Sequence, residues 1–201
     1  MRLGVQRAAR TALTQAQRVN PEARLRHKLD RWRLPLFPRI RAMRAARVLP
    51  RLRRLVPPRV LAAVLRTWFN GWCTKRRFQS KGECLFGCLL GEDSIDHYMH
   101  CKNLHQHGQA RLRLPGVEAL GNRSLSFMLL DASASLTDSV LTCRALLLAA
   151  AYRLHCRLRH SGGLVDEAVR TRALDHAVKE AALGHKGAMQ LLDGLWMPQA
   201  A

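Results

Sequence analysis

The chain has 201 residues, is rich in alanine and leucine, and contains only 5% aromatic residues. Such a composition favours helices over a β-sandwich or barrel, and no apolar run is long enough to span a membrane. The formal net charge is +20, and residues 1–60 carry about three quarters of it, with 17 Lys and Arg against two acidic residues. Because such a segment repels itself without a polyanion, we expect a partner that is nucleic acid or an anionic membrane surface.

The amino-terminal 57 residues form a basic, Arg-rich arm in which prolines limit the predicted helices. Weak helices are predicted over residues 1–19, 22–33 and 39–49, and Pro50 is expected to end the third. Arginine outnumbers lysine, and a guanidinium binds phosphate bidentately. The arm therefore supplies three candidate nucleic-acid-binding residues, Arg51, Arg53 and Arg54.

The first 20 residues also bear on localisation. They contain arginine, no acidic residue and no apolar block of the length that a secretory signal needs. A mitochondrial presequence is one interpretation of this segment. An intracellular protein is expected in either case, and the nucleus is the favoured compartment.

A stronger helical pattern follows Pro58. Val60, Val64, Trp68 and Trp72 recur every four residues, which places them on one apolar face of a helix. We expect this face to pack in the core. The turn that follows offers cations for phosphates and a ring for unpaired bases. Its candidate nucleic-acid-binding residues are Lys75, Arg76, Arg77 and Phe78.

Four residues have the spacing of a structural zinc site, Cys84-x3-Cys88-x8-His97-x3-Cys101. Thiolates and imidazole suit a tetrahedral Zn²⁺, and four protein ligands leave no open position for a catalytic water. Gly87 allows the tight turn that would present the two cysteines. The pattern therefore predicts a closed, structural zinc site.

A short helix is predicted to carry the last two ligands, His97 and Cys101. Asp93 or Ser94 is expected to cap it, with Asp96 in its first turn. His97 and Cys101 are four residues apart and would then share one helical face. On this interpretation, two ligands come from a turn and two from a helix.

The identity of the fourth ligand is open from the residues alone. Cys101-x3-His105 would also lie on one helical face, and His100 and His107 are further candidates. We prefer His97 because it completes the site without any residue beyond Cys101.

The six cysteines divide into two groups. Four lie within residues 73–101, and without an export signal their clustering beside histidine indicates metal ligation and not a disulfide framework. Cys143 and Cys156 lie in an apolar helical context, and we expect both to be buried thiols.

The carboxy-terminal part contains two further predicted helices. Residues 106–135 have weak periodicity and several Pro and Gly residues, which indicates a loop-rich connection. Ser135 or Thr137 is expected to cap a helix that reaches about His160. A second helix is predicted over residues 164–183, and the two form a plausible antiparallel pair.

Three stretches together resemble a known family. Residues 65–78, the pair Cys84 and Cys88, and residues 93–101 are similar to the zinc-binding segment that follows the reverse transcriptase in non-LTR (LINE-like) retrotransposon polyproteins. The resemblance covers about residues 58–105, and the four ligand positions match one for one. It implies that His97 is the fourth ligand and that the segment binds RNA or DNA.

The resemblance stops short of the catalytic part of that family. The chain has no paired aspartates of a reverse-transcriptase palm, no convincing endonuclease motif, and no phosphate loop, nucleophile elbow or metalloprotease motif. We therefore expect no enzymatic activity. A detached or partial copy of the polyprotein's C-terminal part, including a decayed one, fits this pattern.

The sequence thus predicts a mainly α protein with basic N-terminal helices, a small Cys-Cys-His-Cys zinc module and a C-terminal helical pair. The predicted function is zinc-stabilised, non-catalytic binding of RNA or DNA. The alternatives are a helical protein-interaction scaffold stapled by zinc, and a basic organellar protein that is mitochondrial and ribosome-associated. The predicted segments are a basic arm (1–57), a helix plus zinc module (58–105), a connection (106–135) and a helical region (136–201).

Overall fold

The computed structural model describes residues 21–32, 34, 37–88, 91–116, 120–131, 136–161 and 163–196. These residues are mainly helical, which confirms the predicted fold class, and their only β pairing is an isolated bridge between Glu83 and Glu92. None of the helices described is both long and apolar enough to cross a bilayer. The helix predicted over residues 1–19 lies outside the described residues.

The described residues contain nine α-helices. In chain order they are α1 (Pro21–Leu29), α2 (Pro38–Leu55), α3 (Pro58–Trp68), α4 (Ile95–Tyr98), α5 (Lys102–Leu112), α6 (Leu120–Phe127), α7 (Asp138–Leu158), α8 (Glu167–Ala182) and α9 (Lys186–Trp196). Two 3₁₀ turns, Asp30–Trp32 and Arg76–Phe78, complete the described helical structure.

Helix α2 continues through Pro50, so the prediction that Pro50 ends a helix is wrong. Proline removes one helical hydrogen bond and costs about 3 kcal/mol in a helix interior. On the opposite side of α2, Ala45, Val48 and Leu52 are buried. Burial of a Val or Leu side chain contributes roughly 1.5–3 kcal/mol. The buried residues before and after Pro50 in the chain therefore offset the cost of the proline.

Helix α3 confirms the predicted apolar face for Val60, Val64 and Trp68, but it ends at Trp68, so Trp72 follows the helix and does not lie on it. Trp68 and Trp72 are fully buried, and their indole N–H groups donate to the Met128 carbonyl and the Thr67 hydroxyl at 2.9 Å each. Both tryptophans thus lie in the core with their polar atoms satisfied.

Helix α6 and most of α5 lie within the segment predicted to be loop-rich, 106–135, so that prediction is wrong for the half of the segment that these helices occupy. Helix α5 has few apolar residues, but Leu104 and Leu112 are buried. Gly108 brings α5 close to α7, because a Cβ at this position would lie 2.9 Å from Leu147 Cδ2. Tertiary packing, and not local pattern, therefore stabilises α5.

Helices α7 and α8 confirm the two long C-terminal helices. Thr137 caps α7 by accepting the Val140 N–H at 3.3 Å, and Asp166 caps α8 by accepting the Val169 N–H at 2.7 Å. Cys143 of α7 is buried as predicted, whereas Cys156 is only half-buried.

One hydrophobic cluster joins α1, α2, α3, the segment around α4, and α5 to α9. Among its members are Leu29, Leu52, Trp72, Tyr98 and Leu146, which come from distant parts of the chain. Residues from all four predicted segments therefore share one core.

Four arginines, which we call the tether arginines (Arg41, Arg44, Arg51 and Arg59), cross-link the helices through backbone carbonyls. They donate to the carbonyls of Leu29 at 3.2 Å, Leu130 at 2.8 Å, Leu136 at 2.9 Å and Ala181 at 3.2 Å, respectively. Because these carbonyls lie at helix ends or in connections, the guanidinium groups satisfy acceptors that have no helical partner.

Candidate functional site

Three of the predicted metal ligands converge. The donor atoms of Cys84, His97 and Cys101 all lie within 4.8 Å of one another, and the two Sγ atoms are 3.8 Å apart. Tetrahedral coordination with Zn–S bonds of about 2.3 Å places two sulfur atoms about 3.8 Å apart. The donor set therefore fits a metal ion in both chemistry and spacing.

The short helix α4 positions His97. Ser94 caps it, as predicted, by accepting the His97 N–H on its hydroxyl at 3.1 Å. Nε2 of His97 is buried and has no hydrogen-bond partner, which is the state expected of a nitrogen reserved for a metal. Cys101, however, lies after the end of α4, directly before α5, so the two ligands do not share one helix.

The cysteine turn presents Cys84 but leaves Cys88 outside the group. Gly87 adopts φ +70° as the turn requires, and its N–H donates to the Cys84 carbonyl at 3.2 Å. The Cys88 sulfur does not join the other donors within 4.8 Å. Cys88 is half-buried, and its role as a zinc ligand beside the other three stays a prediction.

Charge at the sulfur pair is shared unequally. The Cys101 thiol donates to Cys84 and lowers the pKa of Cys84, against the effect of burial and with help from His97 and backbone N–H groups. The Cys84 thiolate and burial together raise the pKa of Cys101. The pair thus holds one negative charge readily, and a bound cation would favour the second.

The other candidate histidines lie elsewhere. Nε2 of His105 is 2.9 Å from the Met99 carbonyl oxygen, within hydrogen-bond distance. Nε2 of His107 lies 3.5 Å from Asp175 Oδ1, and burial lowers the pKa of His107 to about 4. Neither residue, nor His100, joins the cluster, and the preference for His97 over His105 agrees with this geometry.

Gly91 makes room for the His97 ring. A Cβ at this position would lie 2.1 Å from Cε1 and 2.2 Å from Nε2 of His97. Gly91→Ala should therefore displace the imidazole and lower zinc affinity by about tenfold or more, as loss of ligand orientation does. Competition with a chromophoric chelator measures the change.

The matched control is Gly194→Ala in α9, where a Cβ would meet no atom within 4 Å. This variant should keep wild-type zinc affinity and gain roughly 0.5–1 kcal/mol of stability. Wild-type zinc affinity in the Gly91→Ala protein would show that His97 does not ligate in this geometry.

A buried carboxylate, Asp93, joins the site to its surroundings. Its Oδ1 accepts the Tyr98 hydroxyl at 2.7 Å and lies 3.0 Å from His155 Nε2, and its Oδ2 accepts the Lys75 N–H at 2.8 Å. Burial raises the pKa of Asp93, but these hydrogen bonds outweigh it and lower the pKa overall. Asp93 therefore fixes the turn that begins at Lys75, helix α4 and helix α7 relative to one another.

The sequence pattern marked Asp93 only as a possible helix cap and did not mark His155. Ser94 takes the capping role instead. His155 is completely buried in α7 and lies 62 residues from Asp93 in the chain. No local spacing connects these two residues, so only the fold could reveal the pair.

The four candidate nucleic-acid-binding residues of the turn Lys75–Phe78 differ in their contacts and exposure. Arg76 forms an exposed ion pair with Glu92 at 2.7 Å, and Arg77 donates to the carbonyls of Asn70 at 2.8 Å and Trp72 at 3.3 Å. Lys75 is exposed. Phe78 is 65% exposed and is thus available for contact, in contrast to the buried Trp72.

The three predicted arginines at the end of the arm also differ in their contacts. Arg51 pairs with Asp138, with Nη2–Oδ1 at 2.5 Å, and acts as a tether. Arg53 and Arg54 are exposed and make no ion pair or side-chain hydrogen bond within the described part of the chain. Only the latter two are free to contact a ligand.

Arg53 and Arg54 belong to a larger surface that the sequence analysis missed, the outer face of α2. At 3.6 residues per turn, the exposed positions of α2 fall within one arc of the helix, and Arg39 and Arg47 lie on it. Helix α2 contains no acidic residue. Arginines at helical spacing without acidic residues were the available signal. The outer face is lined by Arg39, Met43, Ala46, Arg47, Pro50, Arg53 and Arg54.

Comparison with protein-family models, curated proteins and solved structures finds no match. The candidate function therefore depends on the chemistry of the site and on the resemblance of the quoted residues.

Proposed function

We propose that this chain is a zinc-stabilised, non-catalytic protein that binds RNA or DNA, and that it corresponds to a detached C-terminal part of a retrotransposon reverse-transcriptase polyprotein. Zn²⁺ would be held by Cys84, His97 and Cys101, with Cys88 as fourth ligand after a side-chain rotation. The ion would act structurally, because four protein ligands leave no position for a reacting water. The nucleus is the proposed compartment.

The observation that carries nucleic-acid binding is the outer face of α2. Its four outer arginines, Arg39, Arg47, Arg53 and Arg54, span about 22 Å along the helix axis. Each is exposed, and the described residues provide none of them with an ion-pair partner. Phosphate groups supply the missing negative charge, and their neutralisation releases counterions.

Removal of the four outer arginines tests this proposal. The protein with Arg39, Arg47, Arg53 and Arg54 all changed to Gln should bind weakly to RNA and DNA of any sequence. Each phosphate contact contributes about 0.7–0.9 to the slope of log K against log salt concentration, so the slope should flatten by about 3. Anisotropy titrations over a range of salt concentrations measure it.

A control variant with the same loss of charge distinguishes an effect of the α2 surface from an effect of net charge alone. Four exposed cations elsewhere, which make no described ion pair, should change the slope by less than about 1 when replaced by Gln. Equal flattening in both variants would mean that α2 has no special role. The control residues are Lys102, Arg113, Arg159 and Arg172.

A second candidate function, a zinc-stapled scaffold for protein partners, has one observation in its favour. Val165 and Val169 are 72% and 43% exposed, and Val165 lies beside the cysteine turn, with its Cα 3.1 Å from the position of a Cβ on Gly87. Two valines cover less than the few hundred Å² typical of an interaction patch. This candidate therefore ranks below nucleic-acid binding.

A further inference from the structure

The 3₁₀ turn that follows Trp72 exposes an aromatic ring, Phe78. Phe78 is 65% exposed, whereas Trp72, Phe86 and Tyr98, its aromatic neighbours in the sequence, are fully buried. An apolar ring at the surface loses roughly 1.5–3 kcal/mol of burial free energy. Exposure of a single apolar residue is common, so the residues around Phe78 decide whether the ring is suited to contact a ligand.

The backbone holds Phe78 in a fixed position. The N–H groups of Lys75 and Arg76 donate to Asp93 at 2.8 and 3.3 Å, and those of Phe78 and Ser80 donate to the Lys75 carbonyl at 3.0 Å each. The buried Asp93 thus anchors the turn to the core. A turn whose backbone is held in this way loses little backbone entropy when a ligand binds.

The turn that carries the ring is rich in cations. Lys75 and Lys81 are exposed and have no ion-pair partner within the described residues. Arg77 donates to neutral carbonyls, so its charge is uncompensated. Among the charged residues of this turn, Arg76 is the one with a described acidic partner, Glu92.

We infer that the turn 75–81 binds single-stranded nucleic acid by stacking an unpaired base on Phe78. This inference depends on the proposed function and names its substrate class. A ring with flanking cations contacts a base face and the adjacent phosphates together. In a duplex each base face is covered by its neighbours, so the ring gains nothing from double strands.

The test uses the full-length, zinc-loaded chain with a labelled uridine oligonucleotide and a blunt RNA duplex of the same length. Phe78→Ala should weaken single-strand binding by about 5- to 100-fold, the range found for loss of one stacked base, and duplex binding by less than about twofold. Phe78→Trp should retain single-strand affinity, and its indole fluorescence should be quenched by the oligonucleotide but not by the duplex.

Val165→Ala is the matched control, since Val165 is a similarly exposed apolar residue, and it should leave both affinities unchanged. If Phe78→Ala lowered the affinity for single and double strands equally, or lowered neither, the stacking inference would be overturned. Salt-dependent binding by the wild type would still uphold the proposed function in that case. Absence of nucleic-acid binding by the wild-type chain would overturn both.

Discussion

Replacement of Cys101 by Ser should abolish zinc binding and unfold the segment that carries the ligands. Cys101 is completely buried, and its sulfur lies 3.8 Å from that of Cys84. Structural zinc sites contribute about 10–16 kcal/mol of binding free energy in small zinc-finger peptides. Loss of one thiolate should therefore lower the free energy of unfolding by more than about 3 kcal/mol.

Zinc content of the purified protein and its unfolding with and without a chelator measure this effect. Wild-type protein should hold about one zinc ion per chain, as a single closed site requires, and chelation should lower its melting temperature. Cys143→Ser provides a matched control, because Cys143 is also buried but lies in α7 away from the cluster. It should retain zinc and lose only about 1–3 kcal/mol.

Single substitutions of the remaining ligands assign the site. His97→Ala should lose zinc, and His105→Ala should retain it. Cys88→Ser should weaken binding if the thiol completes the tetrahedron. Wild-type zinc content in Cys101→Ser, or retention in His97→Ala with loss in His105→Ala, would contradict the assignment.

Asp93→Ala should destabilise the protein by about 3 kcal/mol or more, because each buried polar group that loses its hydrogen-bond partner costs about 1–3 kcal/mol. The substitution leaves the Tyr98 hydroxyl, the Lys75 N–H and His155 without their acceptor, and His155 and Tyr98 are completely buried. Denaturant unfolding of the zinc-loaded protein, followed by tryptophan fluorescence, measures the loss. Trp72 reports on it directly, because its ring lies 5.1 Å from that of His155.

Asp96→Ala is the control for this substitution. Asp96 is a nearby carboxylate in α4, but it is exposed. Surface substitutions of this kind change stability by about 0.5 kcal/mol or less. If Asp93→Ala were no more destabilising than Asp96→Ala, Asp93 would have no bracing role.

The sequence predicted those elements whose signals are local. Val60, Val64 and Trp68 recur at helical spacing, and α3 follows them. Thr137 is an N-cap by residue type, and α7 begins directly after it. In these cases one segment contains both the pattern and its physical cause.

Elements stabilised by distant partners escaped prediction. Helix α5 depends on the packing of Leu104 and Gly108 against α7, and α2 passes Pro50 because core residues hold it on both sides. Helix α9, which contains Gly187 and Gly194, was not predicted either. Local propensity is a weak prior that tertiary contacts override.

The candidate site shows the same division. Spacing identified Cys84, His97 and Cys101, which the fold brings together, because ligand spacing reflects local loop geometry. Spacing could not reveal that Cys88 stands apart from the other three donors. It also could not reveal which arginines are occupied by carbonyls or carboxylates.

The tether arginines give the chain's bias toward arginine a second cause. Arg41, Arg44, Arg51 and Arg59 reach backbone carbonyls of other segments, and the planar, multi-donor guanidinium suits this task better than an ammonium group. Exchange of arginine for lysine preserves the net charge at neutral pH, yet at these positions it removes cross-links of the fold. The same exchange at the four outer arginines removes none. The net charge of this chain therefore overstates its capacity for polyanions, because these arginines are engaged in holding the fold together.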